Sequence, residues 1–317
     1  YAGYPDGTPD EQKDYTESRR NFLALMFCLM VGTAGMPHLL TRYYTSPTVA
    51  DARASVGWSL FFIALLYLSA PALAVLAKFE VMNNLVGSSF DHLPGWIAQW
   101  ARVDASLLSI EDVNGDGIVQ FGEIRLASDL IMLATPELGG LPYVVSGLVA
   151  AGGLAAALST ADGLLLTISN ALVRDLYFQA RPRSTSLEQR VILSKFALLA
   201  VAIAAAFVAA LKPSDILPLV TASFSLAASA FVPVMVLGIF WRGTTRQGAV
   251  AGMLCGLGVT VYYMLSHVAG VKALLPAWLL ADGLWFAIQP ISAGVFGVPA
   301  GLLAAVLVSG ITRPALS

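Results

Sequence analysis

Residues 141–176 read LPYVVSGLVAAGGLAAALSTADGLLLTISNALVRDL. From Leu141 to Val173 the only charged side chain is Asp162. A bilayer's hydrocarbon core needs about 20 apolar residues to be crossed as a helix. This stretch is longer than that, so it spans and then projects into water at its Arg174–Asp175 end. Six further apolar runs are long enough to cross: 21–40, 55–77, 191–211, 215–240, 247–268 and 287–311. The reading is an all-α integral membrane protein.

Composition supports it. The 317 residues are 57% hydrophobic and 12% charged, with a mean hydropathy of +0.74. A soluble domain needs more charge than this to cover its surface. A net charge of −2 gives no sign of a nucleic-acid partner. Cys28 and Cys255 lie within apolar runs and read as small buried hydrophobes rather than a disulfide or metal pair. Gly, Ala and Ser at Gly147–Ala157 and Ala222–Ala230 let helices approach closely, as in a packed bundle. The stretch 271–286 is interrupted by Lys272, Pro276 and Asp282, and reads as an interfacial or re-entrant segment with Trp278 and Trp285 at headgroup level.

The chain divides into a polar tail (1–20), two membrane helices (21–77), a long loop (78–140) and five further membrane helices (141–317). Ten basic residues fall in one set of connections, among them Arg42, Arg53, Arg181, Arg242 and Arg313, against five in the alternate set outside the tail. The positive-inside rule places the richer set and the C-terminus in the cytoplasm, and the tail and long loop outside. The opening polar segment has no starting Met, so the chain is expected to be part of a longer protein.

Three features carry chemistry. The outer loop contains DVNGDGIVQFGE at 112–123. This fits a twelve-residue EF-hand loop: Asp112, Asn114 and Asp116 as oxygen ligands, Gly117 at the sharp turn, the Ile118 carbonyl, and Glu123 as a bidentate closer. The plainer alternative is a solvated acidic turn. A structural Ca²⁺ outside the cell is the expected occupant.

The second feature is ALSTAD at 157–162, inside a membrane run. A carboxylate at that depth is costly unless it faces water, an ion or a partner. Ser159 and Thr160 offer hard oxygens, and the Ala156 carbonyl lies one turn earlier; the alternative is that both hydroxyls bond back to the preceding turn. The third is VGTAGMPH at 31–38, where two glycines and Pro37 weaken a helix and free carbonyls. A simple proline kink is the alternative, and His38 reads as an interface or gate residue.

At these residues the chain resembles the sodium:solute symporter family, in particular its acetate permease-like branch. The resemblance rests on GTAGMPHLLTR at 32–42 with Ala52-Arg53, on ALSTADG at 157–163 running through RDLY at 174–177, and on FWRGTTRQGA at 240–249. Order and spacing agree over nearly the whole chain except loop 78–140. The resemblance implies a fold of inverted five-helix repeats. This chain would supply family spans seven to thirteen: the second repeat plus two peripheral helices. It further implies a sodium site at Ala156, Ser159 and Thr160, with Asp162 near a second cation position. The other half of that site would come from the N-terminal repeat, which is absent here.

The expected function is sodium-driven symport by alternating access in a bacterial inner membrane. The solute, acetate or another short monocarboxylate anion, would lie against Gly32, Thr33 and Gly35. A membrane sensor with a symporter-like input domain is the alternative. No Ser/His/acid set, carboxylate pair in a cleft or phosphate-binding Gly loop points to an enzyme.

Overall fold

A computed structural model describes residues 4–43, 46–104, 106–127, 130–173, 187–211, 216–274, 276, 280 and 283–313, with the side chains of 41–43, 187, 269, 273 and 274 excepted. The basic connection holding Arg174, Arg181 and Arg183, together with Lys212, Trp278 and Asp282, lies outside the described residues, as does the Arg42 side chain. The helices are α1 (Pro9–Gly35), α2 (Pro37–Tyr43), α3 (Val49–Asn84), α4 (Gly95–Val103), α5 (Ile131–Leu138), α6 (Tyr143–Asn170), α7 (Leu187–Ala210), α8 (Ile216–Phe240), α9 (Arg246–Ser266), α10 (Ala269–Leu274) and α11 (Gly294–Thr312). Strands β1 (Leu108–Ile110) and β2 (Ile124–Leu126) form an antiparallel pair with Ser109 opposite Arg125. The chain divides into two compact units, one made of Tyr1–Thr45 with Val208–Ser317, the other of Ser46–Phe207.

Six described helices are long and apolar enough to cross a membrane: α3, α6, α7, α8, α9 and α11. The run at 21–40, expected as a seventh, is divided. Pro37 has no N–H to donate and disfavours helical geometry at the residue before it. Met36 accordingly sits at φ −71° and ψ 114°, ending α1. The segment expected as a polar tail is itself helical from Pro9, started by a capping box in which the Thr8 N–H donates to Glu11 Oε2 at 2.8 Å.

In the first unit, helices meet through their smallest residues. A Cβ added to Gly32 would lie 2.6 Å from the Phe224 carbonyl oxygen, and one on Gly35 2.9 Å from that of Ala227, so α1 rides directly on the α8 backbone. Gly248, Gly252 and Gly256 recur every four residues along α9 and face Gly297, Gly301, Ala305 and Ser309 of α11. At the centre Thr260 Oγ1 donates to Ser229 Oγ at 2.6 Å, and Ser229 donates on to the Ser225 carbonyl at 2.8 Å.

The last apolar run, expected as a span from 287, stays irregular until Gly294. Phe286 and Ala287 adopt φ of 54° and 59°, which breaks any helix there. Side chains from neighbouring helices satisfy the exposed backbone. Tyr263 donates to the Ile288 carbonyl at 2.6 Å, and Asn21 donates to that of Ala287 and accepts the Gln289 N–H, both at 2.7 Å. Ser225 donates to the Ile291 carbonyl at 2.7 Å. Non-helical backbone within a membrane protein needs such partners.

In the second unit, α3 is a 36-residue helix started by Thr48. Its last turns enter a small apolar core in which Val81 and Leu85 meet Ile97, Leu108, Leu130 and Leu138. Trp100 Nε1 ties that core together by donating to Glu137 at 2.7 Å. The spanning parts of this unit are bare by comparison: 6% of the α3 window and none of α6 or α7 is buried, against 33%, 28% and 39% for α8, α9 and α11.

Candidate functional site

Ala156, Ser159, Thr160 and Asp162 all lie on α6, which runs through them without a break. Spacings of three and four place Ala156 beside Ser159 and Thr160 on one helix face. All four are exposed within their unit. Thr160 Oγ1 donates back to the Ala156 carbonyl at 3.2 Å, the alternative arrangement raised above for this hydroxyl. In the continuous helix the Ala156 carbonyl also accepts the Thr160 N–H, so both of its lone pairs are engaged, while the Thr160 hydroxyl keeps its own acceptor capacity. Ser159, Thr160 and Asp162 are thus exposed oxygen-bearing side chains within one turn of a continuous helix.

The Gly32–Gly35 segment is built differently. Gly32 and Gly35 are buried against α8, as described, so their missing side chains serve helix contact. Thr33 is exposed, with its hydroxyl donating to the Leu29 carbonyl at 2.7 Å. The break at Met36 lies directly after, and the final carbonyls of a helix lose their in-helix partners. Thr33 O accepts the Met36 N–H at 3.4 Å. His38 is half-buried in the first turn of α2.

The 112–123 loop joins β1 to β2. Gly115 and Gly117 both take φ of +73°, a geometry open to glycine and strained for other residues. Asp112 accepts the N–H groups of Gly115 and Gly117 at 2.7 and 2.9 Å. Asp116 accepts the Ile118 N–H at 2.8 Å, and that bond is the main cause holding its carboxyl below the usual range. Loop stabilisation from this bond is complete above the ordinary Asp pKa, about 3.9. It is lost as pH falls through the lowered folded value.

Val119 is fully buried, and its N–H and carbonyl pair with Ser88 and Gly87 at 2.8 Å each. Glu123 departs from the expected geometry. It is 7% exposed, and its two oxygens accept the N–H groups of Val113 and Gln120 at 2.9 and 3.0 Å. Among the described residues no three His, Cys, Asp or Glu side chains converge for a metal ion. Asp112, Asn114 and Asp116 all accept hydrogen bonds from within the loop, and Glu123 in this arrangement staples backbone. Sequence reasoning missed this staple, and Gln120 followed by Glu123 carried the capping-box spacing that signals it.

Residues 131–256 match the model of the sodium:solute symporter family. Over 313 residues the chain is 54% identical to an uncharacterized symporter of Cupriavidus necator, covering 98% of this chain and 44% of that protein. The chain is similar to the sodium:solute symporter family. The matched part takes in α6 with its oxygen-bearing residues and continues into α9. A monocarboxylic acid transporter of Corynebacterium glutamicum is 26% identical over 90% of the chain and 45% of its own length. A sodium/pantothenate symporter of Haemophilus influenzae is 35% identical over 42% of the chain and 27% of its own length. The chain thus spans less than half of each of these relatives. No solved structure matches it. With six apolar helices and this family, it is a multi-pass membrane protein.

Proposed function

We propose that these residues form the second half of a sodium-driven symporter for a small organic anion, a short monocarboxylate such as acetate, working by alternating access in a bacterial inner membrane. The observation that carries the reading is the set of exposed oxygen-bearing side chains on unbroken α6. Ala156, Ser159, Thr160 and Asp162 are exposed within their unit, ready for a second helix to complete a sodium cage. That helix belongs to the N-terminal inverted repeat of the same transporter, which also covers bare faces of α6 and α7. The solute lies where α1 ends at the Met36 break, near Gly32, Thr33 and Gly35. The relative named a monocarboxylic acid transporter supports the solute class.

Uptake of labelled acetate into proteoliposomes bearing the complete gene product tests this. An inward sodium gradient is expected to drive accumulation, and collapsing that gradient at constant voltage to abolish it. Accumulation driven by a proton gradient alone would overturn the coupling ion. Sodium-driven uptake of another solute, with none of acetate, would overturn only the solute.

The 112–123 loop takes a hard divalent cation, Ca²⁺, in the same reading. Asp112, Asn114, Asp116 and the Ile118 carbonyl would hold it, with Glu123 released from its two N–H partners to close the shell. Extracellular modules bind at about millimolar Ca²⁺. At that concentration the melting temperature of the purified protein is expected to rise, and the rise to vanish in Asp112→Asn. An identical melting curve with Ca²⁺ and with chelator would leave Glu123 as a structural staple alone.

A further inference from the structure

A cavity of about 280 Å³ opens beside the last turns of α3, lined by Ala74, Ala77, Lys78, Phe121, Ile124 and Leu138 among others. Small-molecule sites run from about 300 to 1,000 Å³, so this one accommodates a slender ligand. Every lining residue except Lys78 is apolar. Ala74 and Ala77 keep the α3 wall shallow. The carboxylates on the flanking elements are engaged elsewhere: Glu80 accepts the Asn84 amide at 2.6 Å, and Glu123 holds the N–H groups of Val113 and Gln120.

The level of the cavity follows from α3 itself. Between Arg53 and Lys78 the helix carries no charge. Those 24 residues extend about 36 Å, against about 30 Å of hydrocarbon. Near the start of the run Trp58 packs on Phe61 and Phe62, with ring centroids 6.1 and 6.2 Å away, as an interfacial aromatic group does. Lys78 closes the other end, at headgroup depth, where a long ammonium side chain reaches the polar layer. The cavity mouth therefore faces the boundary between acyl chains and headgroups.

We propose that this cavity holds one acyl chain of an anionic membrane lipid, with the lipid phosphate against the Lys78 ammonium. The apolar walls take the chain, and the single cation at the mouth selects a headgroup with net negative charge. The location favours a bilayer lipid over an amphiphile arriving from water.

Native mass spectrometry of the complete gene product tests this, using mixed micelles of phosphatidylglycerol, phosphatidylcholine and lauric acid. The wild type is expected to retain phosphatidylglycerol over phosphatidylcholine. Lys78→Ala is expected to reduce that preference about fivefold, the effect of one basic residue at an anionic surface. Ala74→Phe, which fills the cavity, is expected to lose retention of both lipids. Lys78 is exposed, so Lys78→Glu gives a second reading independent of cavity packing, with preference inverted. Unchanged selectivity in both Lys78 variants would overturn the headgroup contact. Retention of lauric acid in place of phosphatidylglycerol would overturn the lipid and leave a free fatty acid as occupant.

Discussion

Gly256→Leu is expected to dismantle the α8–α9–α11 packing, and with it the monodisperse protein. A side chain at Gly256 runs into the Ser229 carbonyl oxygen of α8 and comes 2.9 Å from that of Gly297 on α11. Both obstacles are backbone, on two different helices, so no flexible side chain can move aside. Overpacking a core commonly costs about 1–3 kcal/mol through shifted rotamers. Here whole helices must separate, and the expected loss lies at or above the top of that range. Separation also strains the Thr260–Ser229 bond one turn away, in a setting without water to replace it. Gly258→Leu is the matched control, since a Cβ there meets nothing within 4 Å. Thermal unfolding followed by size-exclusion chromatography in detergent should show Gly256→Leu aggregating where Gly258→Leu behaves as wild type. Equal stability of the two would refute the close-contact account.

The second large effect is functional. Ser159→Ala and Thr160→Ala are each expected to weaken apparent sodium affinity in the uptake assay. A polar contact to a charged group is worth about 1.5–3 kcal/mol, which corresponds to roughly 10–100-fold in affinity. Both residues are exposed within their unit, so the alanine variants keep its packing. The diagnostic readout is the sodium concentration for half-maximal uptake, measured at saturating solute. A large rise with maximal rate restored at high sodium supports the oxygen shell. A fall in maximal rate with unchanged sodium dependence would sink the assignment. Asp162→Asn tests the neighbouring cation position in the same assay, where a retained charge effect should appear as altered voltage dependence.

The membrane helices were legible because charge-free length is a direct physical requirement of the bilayer. The break after Gly35 was legible too, since Pro37 removes a donor and restricts Met36. Less could be read about why glycines stand where they do. Gly32 and Gly35 suggest weak helix and free carbonyls in one dimension, whereas in space they admit the α8 backbone. The start of α1 at Pro9 was available in Thr8 and Glu11, whose spacing makes a capping box, yet overall polarity argued for a tail. The irregular 285–293 segment was hidden for a different reason. Its apolar residues match a span in composition, and only distant partners such as Asn21 and Tyr263 hold its backbone open. Glu123 shows the same limit at a candidate site: the motif supplies a ligand's position in sequence, while burial decides which way its oxygens turn.

One geometric property of α3 bears on the 78–140 loop. The helix is continuous from Val49 to Asn84, and its final turns are themselves part of the loop's apolar core. It is therefore a lever whose far end is embedded in the body it carries. At about 1.5 Å per residue the rod is roughly 54 Å long, so a 10° swing about its middle displaces that end by about 5 Å. A tilt of the helix as one body would carry the loop with it, and a pair of spin labels, one on the loop and one near Thr48, would show whether the helix holds straight across Pro71.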